Sequence, residues 1–589
     1  MTATPERSTV EALVELGIFG PAERFAADLI GRRWSVDDDH VLLATALAVW
    51  ADRTGHVGVD LHGLDAALTR TMRDRSAAAE HAGIPALPDP ATLREALVRR
   101  RDVVRVLEGD PGAHHAALAD MSPLVLWRER LYSQRQFVDE RSIAEQVVRR
   151  AGSVPAANDA ARALLDRIAG DLDPSQRRAV DTALDRRFTV ITGGPGTGKT
   201  FTLVRVLAAL LAADSDLEIV LAAPTGKAAK RMQEAIASAI GPEFGDIGTQ
   251  LAALAPTTIH GLLGARGRST RFRRDADNPL TADVVVIDEA SMVSMQIMAR
   301  CLEAVRPDAR VVLLGDPNQL ASVEAGSVLA DISAATAPAV RPSILELDTG
   351  HRAGDAIVEL ARAIQTGDRD QVVDAFGRNG LTLITTDTAD PRAVREALAA
   401  GTAAATACRD EARMGHGAAA HRSLLSHRVL CGHRHGPTGV STWNAWFERA
   451  IGCAGSTYAG RPVLVTLNDP ITGLVNGDTG ILVDRDGEIV AWFPPAEPDG
   501  EARTFAPVQL PPTETAFAMT IHKSQGSEYD HVVVMLPPPG SPLLTRELLY
   551  TAVTRAKRSV TVIGSAEALE TAVTTVTERA SGLREALSG

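Results

Sequence analysis

The sequence predicts an α/β protein with two doubly wound parallel sheets, a helical region ahead of them and a small β insertion within the second. Three observations predict it. From Asp173 onward, short apolar runs alternate with helical patterns, and each run ends in turn residues before its helix begins. That texture belongs to buried parallel strands joined by crossover helices. The length, 589 residues, exceeds what one hydrophobic core supports, which implies about three or four domains. The expected divisions are 1–155 (helical), 156–345 (first α/β domain) and 346–589 (second α/β domain), with 456–512 inserted in the last.

Residues 1 to about 150 read as helical patterns at 10–16, 41–50 and 91–107, broken by Pro/Gly-rich stretches at 83–90 and 109–112. An Ala/Asn/Asp-rich linker is expected at 153–160. The first α/β domain should place strands at 188–192, 218–222, 284–287 and 311–314. A second region of the same texture starts near Ile344, with strands at 429–431, 531–535 and 559–563. Residues 461–507, rich in Val, Asp and Gly with several turns, read as the β insertion.

Hydrophobic content of 45% and charged content of 23% are ordinary for a globular protein. Residues 1–10 are polar and lack a signal-peptide core, and no run of eighteen apolar residues occurs, so a cytoplasmic location is expected. The four cysteines are few and scattered, as in a reducing compartment. Cys431-Gly-His433-Arg-His435 with Cys453 downstream matches no standard zinc spacing, and a plain surface loop is the expectation there. A net charge of −13 leaves nucleic-acid binding open, because a locally positive groove can sit in an acidic chain. Lysine usage says more. Against 56 arginines there are 5 lysines, Lys199, Lys227, Lys230, Lys523 and Lys557, and each lies in or beside a motif described below. A compact ammonium does work that a planar guanidinium cannot.

The strand at 188–192 runs into Gly193, Gly194, Pro195, Gly196, Thr197, Gly198, Lys199 and Thr200, after which 201–212, opening at Phe201, reads as a helix. This is a phosphate loop in its strand–loop–helix setting, with backbone N–H groups and a helix N-terminus facing the anion. Lys199 should reach the β- and γ-phosphates of ATP, and the Thr200 hydroxyl should ligate Mg²⁺. The strand at 284–287 delivers Asp288 and Glu289 to its tip, Asp288 for Mg²⁺ and Glu289 as general base toward the attacking water. A third strand tip, Gly315-Asp316-Pro317-Asn318-Gln319-Leu320, carries Gln319, placed to sense the γ-phosphate. Upstream, Gln176 in Asp173-Pro-Ser-Gln is a candidate for the adenine edge.

These blocks, in this order, resemble a superfamily 1 helicase. Pro224-Thr-Gly-Lys-Ala-Ala-Lys230 and Thr257-Thr-Ile-His260 resemble the family's strand-tip elements that grip the DNA backbone, and His351-Arg352 the block whose arginine meets the γ-phosphate. Thr520-Ile-His-Lys-Ser-Gln-Gly-Ser-Glu528 and Tyr550-Thr-Ala-Val-Thr-Arg555-Ala-Lys557 resemble the last two blocks. The resemblance implies two RecA-like motor domains with ATP in the cleft between them. It assigns Arg352 and Arg555 to the γ-phosphate, Thr225, Lys227, His260, Thr520, His522 and Lys523 to DNA, Gly526 to the nucleotide site and Glu528 to the ribose. An arginine supplied across such a cleft is worth about 10³–10⁵ in rate.

Within that superfamily the wording is closest to the RecD family, the α subunits of RecBCD (exonuclease V) complexes: Asp288-Glu-Ala-Ser-Met292, Gly315-Asp-Pro-Asn-Gln-Leu320 and the block at 520–528. The stretch 463–480, with Asn468-Asp469 and Asn476-Gly477-Asp478, is similar to that family's SH3-like module. Gly55-His-Val-Gly-Val-Asp-Leu61 and the pieces around Pro123 and Tyr132 resemble the N-terminal domain that docks on RecC. The resemblance implies 5′-to-3′ translocation on single-stranded DNA, work on duplex DNA ends, RecB and RecC as partner subunits, and the nuclease in RecB. Two other readings stand beside it: a stand-alone RecD-like helicase, and an architectural DNA-binding subunit without catalysis, against which Lys199, Thr200, Asp288, Glu289, Gln319 and Arg555 all argue. RNA as the track is not distinguished by phosphate contacts. Aromatic residues make up 4% of the chain, so Trp443, Trp446, Phe447 and Phe272 are the few candidates for base stacking, with core packing as the alternative. The arginine-rich stretch 266–274 reads equally as a DNA-contact loop or a solvated one.

Overall fold

The N-terminal region carries the expected helices and adds a sheet to them. In the computed structural model, which describes residues 8–75, 85–109, 122–152, 159–168, 172–265, 271–347, 356–387, 391–453, 455–495 and 500–588, its helices surround a four-stranded sheet. The strands are β1 (Val59–Asp60), β2 (Val104–Leu107), β3 (Leu124–Trp127) and β4 (Arg130–Ser133), in the order β1-β4-β3-β2. The single helix expected over 91–107 divides into a helix at Pro90–Arg99 and the strand β2. Arg100 closes the turn between them by donating from Nε and Nη2 to the Asp102 carboxylate. The β-branched residues Val103, Val104 and Val106 then favour the strand. Val125 and Trp127 of β3 face the core shared with the first motor sheet, whereas Leu124 and Leu126 face the N-terminal helices. The linker expected at 153–160 falls largely outside the described residues.

The first α/β domain forms a six-stranded parallel sheet. Its strands are β5 (Phe188–Thr192), β6 (Ile219–Ala223), β7 (Thr257–Thr258), β8 (Val284–Ile287), β9 (Arg310–Gly315) and β10 (Ile344–Glu346), ordered β10-β5-β9-β8-β6-β7. Both faces are covered, which is why these strands read as continuous apolar runs. Val285 and Ile287 point into one core and Val284 and Val286 into the other, and β9 divides Val311 and Leu313 from Val312 and Leu314 in the same way. Ile344 does not open the second region as expected: Ile344–Glu346 pairs with Val190–Thr192 as an edge strand of the first sheet.

The second α/β domain carries β11 (Leu381–Thr385) and β12 (His427–Cys431). Next come the inserted strands β13 (Pro462–Val465), β14 (Thr479–Arg485), β15 (Glu488–Phe493), β16 (Arg503–Phe505) and β17 (Thr513–Thr515). The chain then returns through β18 (Ala518–Thr520), β19 (Tyr529–Met535) and β20 (Ala556–Gly564). The parallel sheet runs β11-β20-β19-β12-β18, and the insertion is a separate antiparallel sheet, β16-β15-β14-β13-β17. The insertion's turn residues hold its loops: Asn468 Oδ1 accepts from Asn476 N at 2.8 Å, and Asp478 Oδ2 from Val475 N at 3.2 Å.

The chain's last described segment does not stay with the second sheet. Val57 N and Gly58 N donate to Ala580 O, Ala580 N donates to His56 Nδ1, and Leu583 and Leu587 join the core of the first sheet. Within this seat Glu140, fully buried, accepts from Gly582 N at 2.7 Å and Ser581 Oγ at 2.9 Å. Gly55-His-Val-Gly-Val-Asp-Leu61, read by resemblance as a partner-docking segment, therefore receives the chain's own C-terminal region. Among the described residues no helix is long and apolar enough to cross a membrane.

Candidate nucleotide and nucleic-acid site

The phosphate loop lies where the sequence places it, between β5 and the helix Lys199–Ala213. Gly196 and Gly198 take φ of +76° and +80°, a region open to glycine at little cost. The loop is also packed too closely for side chains. A Cβ on Gly193 would sit 2.6 Å from Thr197 Oγ1, and one on Gly198 2.6 Å from Gln176 Nε2. Lys199 Nζ donates to Gly193 O at 2.7 Å and Gly194 O at 3.0 Å, so its ammonium lies over the loop's mouth. Pro195 and Gly196 are on the rim, Thr197 is buried beneath it, and Thr200 lies in the helix's first turn at intermediate exposure. The Phe201 ring is covered by the Arg205 guanidinium, 3.3 Å from its centroid.

Gln176 is placed differently from the expectation. It is buried, its Nε2 donates to Thr197 O at 3.1 Å, and its Oε1 accepts from Asp173 N at 3.2 Å. The amide is engaged at one end by the loop and at the other by the capping box of helix Pro174–Asp185, so in this arrangement Gln176 buttresses the loop.

Asp288 and Glu289 cap β8. Asp288 Oδ1 accepts from Glu289 N at 2.8 Å, and Glu289 has a left-handed φ of +51°, unusual for a residue with a side chain. Burial, then the neighbouring Glu289 charge, push the Asp288 carboxyl up to about 6, with Lys199 pulling the other way. Two carboxylates with one ammonium beside them make a charge deficit that suits a divalent cation.

At the tip of β9, Asp316 is fully buried and gathers donors from both domains. Its Oδ2 accepts from Tyr550 Oη at 2.8 Å and Gln319 Nε2 at 3.2 Å, and its Oδ1 from Asn318 N at 3.0 Å. Leu320 N donates to Thr551 Oγ1 at 2.9 Å, and Gln525 Nε2 donates to Leu320 O at 3.0 Å. A cavity opens beside this joint, lined by Gly193, Gly194, Asn318, Glu346, Arg362 and Tyr550. Asp316, Tyr550 and Arg362 received no role from the sequence. The first two stood inside quoted motifs, and only their contact across the cleft singles them out.

Of the two arginines expected at the γ-phosphate, Arg352 lies outside the described residues. Arg555 is buried and its guanidinium donates to Thr551 O, Ser527 O and Thr554 Oγ1, within its own domain. The structure does not bring it onto the phosphate loop. Glu528 pairs with Arg231 of the first domain at 3.6 Å and with Lys557 at 3.7 Å. Gly526, with φ of +65°, shapes the turn before it.

A groove joins Thr225, His260, Ser294 and Val323 of the first domain to Gln525 of the second. Thr225 Oγ1 caps helix Gly226–Ala239 by accepting from Ala228 N at 3.2 Å; His260 is exposed, its ring edge-on to Phe272 with centroids 5.9 Å apart. Thr520 is buried as the cap of a short turn, while Lys523 Nζ pairs with Glu514 Oε2 at 2.6 Å. His522 is held below its ordinary pKa by burial and then by the Arg579 charge. Lys227 does not line the groove. It sits half-buried under Gly477 of the insertion, and burial lowers its pKa. Nearby, Lys230 Nζ donates to Pro495 O. The insertion thus docks on the helix that Lys227 was expected to aim at DNA. Phe447 is core, and Trp443 and Trp446 pack partly buried against it, so none of the three forms an open stacking platform. Cys431 is buried in β12, not in a surface loop, and His433 Nε2 meets Ser541 Oγ at 2.9 Å.

Two RecA-like sheets, a phosphate loop at the tip of one and the ordered strand-tip motifs facing the other define an ATP-dependent DNA helicase motor of superfamily 1. Three family models match the chain: AAA domain over 176–325, UvrD-like helicase C-terminal domain over 515–563, and RecBCD enzyme subunit RecD, N-terminal domain, over 15–132. The chain is 41% identical to the RecBCD enzyme subunit RecD of Mycolicibacterium smegmatis, over 98% of this chain and 99% of the relative. It is 39% identical to that of Mycobacterium tuberculosis, over 98% and 96%. A crystal structure of the Pif1 helicase from Candida albicans aligns at 16% identity with a TM-score of 0.41, over 69% of this chain and 96% of that one. The chain belongs to the RecD family.

Proposed function

We propose that this chain is the 5′-to-3′ single-stranded-DNA translocase of a RecBCD-type helicase–nuclease, working in the cytoplasm with RecB and RecC partner subunits on duplex ends during recombinational repair. The observation that carries the motor reading is the cleft itself. Lys199 and the phosphate loop on one domain face Tyr550 and its helix on the other, so closure on ATP is transmitted directly from sheet to sheet. The near full-length likeness to RecBCD enzyme subunits supports the choice of partners.

Lys199 and the loop's N–H groups bind and orient the β- and γ-phosphates. Glu289 accepts the proton of the attacking water as general base. Thr200 and Asp288 fit a Mg²⁺ ion, given the charge deficit at Asp288, and the ion when bound supplies charge neutralisation on the phosphates. Gln319 senses the γ-phosphate, while Arg352 and Arg555 contribute cationic charge after a movement that frees Arg555 from its carbonyls. Thr225, His260, Thr520, His522 and Lys523 hold the DNA backbone without base readout.

The test is the ATPase rate of the purified chain with no polynucleotide, single-stranded DNA or single-stranded RNA, followed by capture with RecB and RecC subunits. DNA-selective stimulation together with stable capture is the expected result. Stimulation without capture would favour a stand-alone helicase, and absence of turnover both alone and in the assembled complex would favour the architectural subunit.

A further inference from the structure

We propose that Asp316 and Tyr550 are a pair of positioning residues, forming the joint through which the second motor domain fixes Gln319 and registers the state of the phosphate loop. The proposal rests on the motor reading above and adds two residues to it.

The geometry places the pair at a junction of three parts. Tyr550 lies on helix Arg546–Val553 of the second domain, fully enclosed, and its Oη is so close to the phosphate loop that a Cβ on Gly194 would stand 3.1 Å away. The same hydroxyl donates at 2.8 Å to Asp316 Oδ2, the oxygen that also receives Gln319 Nε2 at 3.2 Å. Gln319 therefore holds its place through a carboxylate oxygen whose other donor belongs to the opposite domain. Burial and the adjacent Asp316 charge raise the phenol's pKa well above its ordinary value, which keeps Tyr550 a proton donor.

The joint continues past the pair. Leu320 is bonded on both sides by the second domain, its N–H to Thr551 Oγ1 and its carbonyl to Gln525 Nε2. Gln525 follows the turn that bears Thr520, His522 and Lys523, and it also lines the groove with Thr225 and His260. A shift of Tyr550 relative to Gly194 thus moves Gln319 and the DNA-facing turn together. An aromatic that merely filled the cleft would need no hydroxyl at this position.

The experiment uses the full chain, with Tyr550→Phe, Asp316→Asn and the double variant, measuring ATPase against ATP and against single-stranded DNA. Tyr550→Phe keeps the buried ring, and Asp316→Asn alters the same joint from its other side with Tyr550 unchanged. Each single variant should lower DNA-stimulated kcat about tenfold, the scale of one buried hydrogen bond to a charged group. ATP KM should change less than about threefold, and the double variant should be no worse than the worse single, because both remove one joint. The proposal is overturned if the two effects multiply, or if Tyr550→Phe raises KM and leaves kcat intact, as a plain lining residue would. A wild-type chain with no DNA-stimulated turnover either alone or assembled with RecB and RecC subunits would instead overturn the motor reading.

Discussion

Substituting Gly582 by alanine should unseat the C-terminal segment from the N-terminal domain. The backbone there has an ordinary φ of −97°, so the penalty is steric and not conformational. An added Cβ would lie 2.5 Å from Tyr132 Oη, 2.8 Å from Glu140 Oε1 and 2.8 Å from Trp127 Cζ3. None of the three can swing away, since all are buried. Overpacking of this kind costs about 1–3 kcal/mol. Pushing the segment outward also lengthens the bonds from Gly582 N and Ser581 Oγ to the buried Glu140, and one hydrogen bond to a charged group is worth about 1.5–3 kcal/mol. The sum, about 3–5 kcal/mol, raises the open population of the segment on the order of a hundredfold or more. Hydrogen exchange of the amides at 578–588, with limited proteolysis of the same stretch, reads that population. Gly152→Ala, whose Cβ would meet nothing within 4 Å, is the control. Exchange and cleavage in Gly582→Ala equal to those of the control would refute the packing described for this seat.

Lys199→Ala should abolish ATP turnover with the fold intact, because the ammonium touches only the loop's carbonyls; normal DNA-stimulated hydrolysis with unchanged circular dichroism would count against the site. The half-buried Asp331 carboxyl is pushed up to about 7 by burial, with Ser581 opposing and the Glu140 and Glu585 charges adding to the rise. Its folded-state pKa thus lies above its unfolded one, so its contribution to stability is fully present below pH 4 and is lost as pH rises through about 7. Asp331→Asn should therefore be the more stable form at pH 8, by up to about 4 kcal/mol, and the gap should close toward pH 4, as followed by thermal melts across that range. A gap independent of pH would show that the carboxyl is not the cause.

The sequence by itself determined the chemistry that lives within a few residues. A phosphate loop needs its glycines, Lys199 and Thr200 at fixed spacing between a strand and a helix. Runs such as Val284–Ile287, buried on both faces, announce strands that end in Asp288 or Asp316, and these elements fall within a residue or two of their expected places. What depends on partners far along the chain was decided by the tertiary structure alone. Local pattern could not show that Ile344–Glu346 completes the first sheet, or that Val104–Leu107 leaves its helix for a strand, because strand pairing is settled by neighbours remote in sequence. Nor could it show Gln176 folded back on the phosphate loop, or Lys227 covered by the insertion. Residues 580–582 close on His56 and Glu140 across more than four hundred positions, and Tyr550 reaches Asp316 across 234. Those contacts exist because burying apolar surface between domains leaves polar groups that must find donors or acceptors at the seam, and only the packed domains decide which ones they meet.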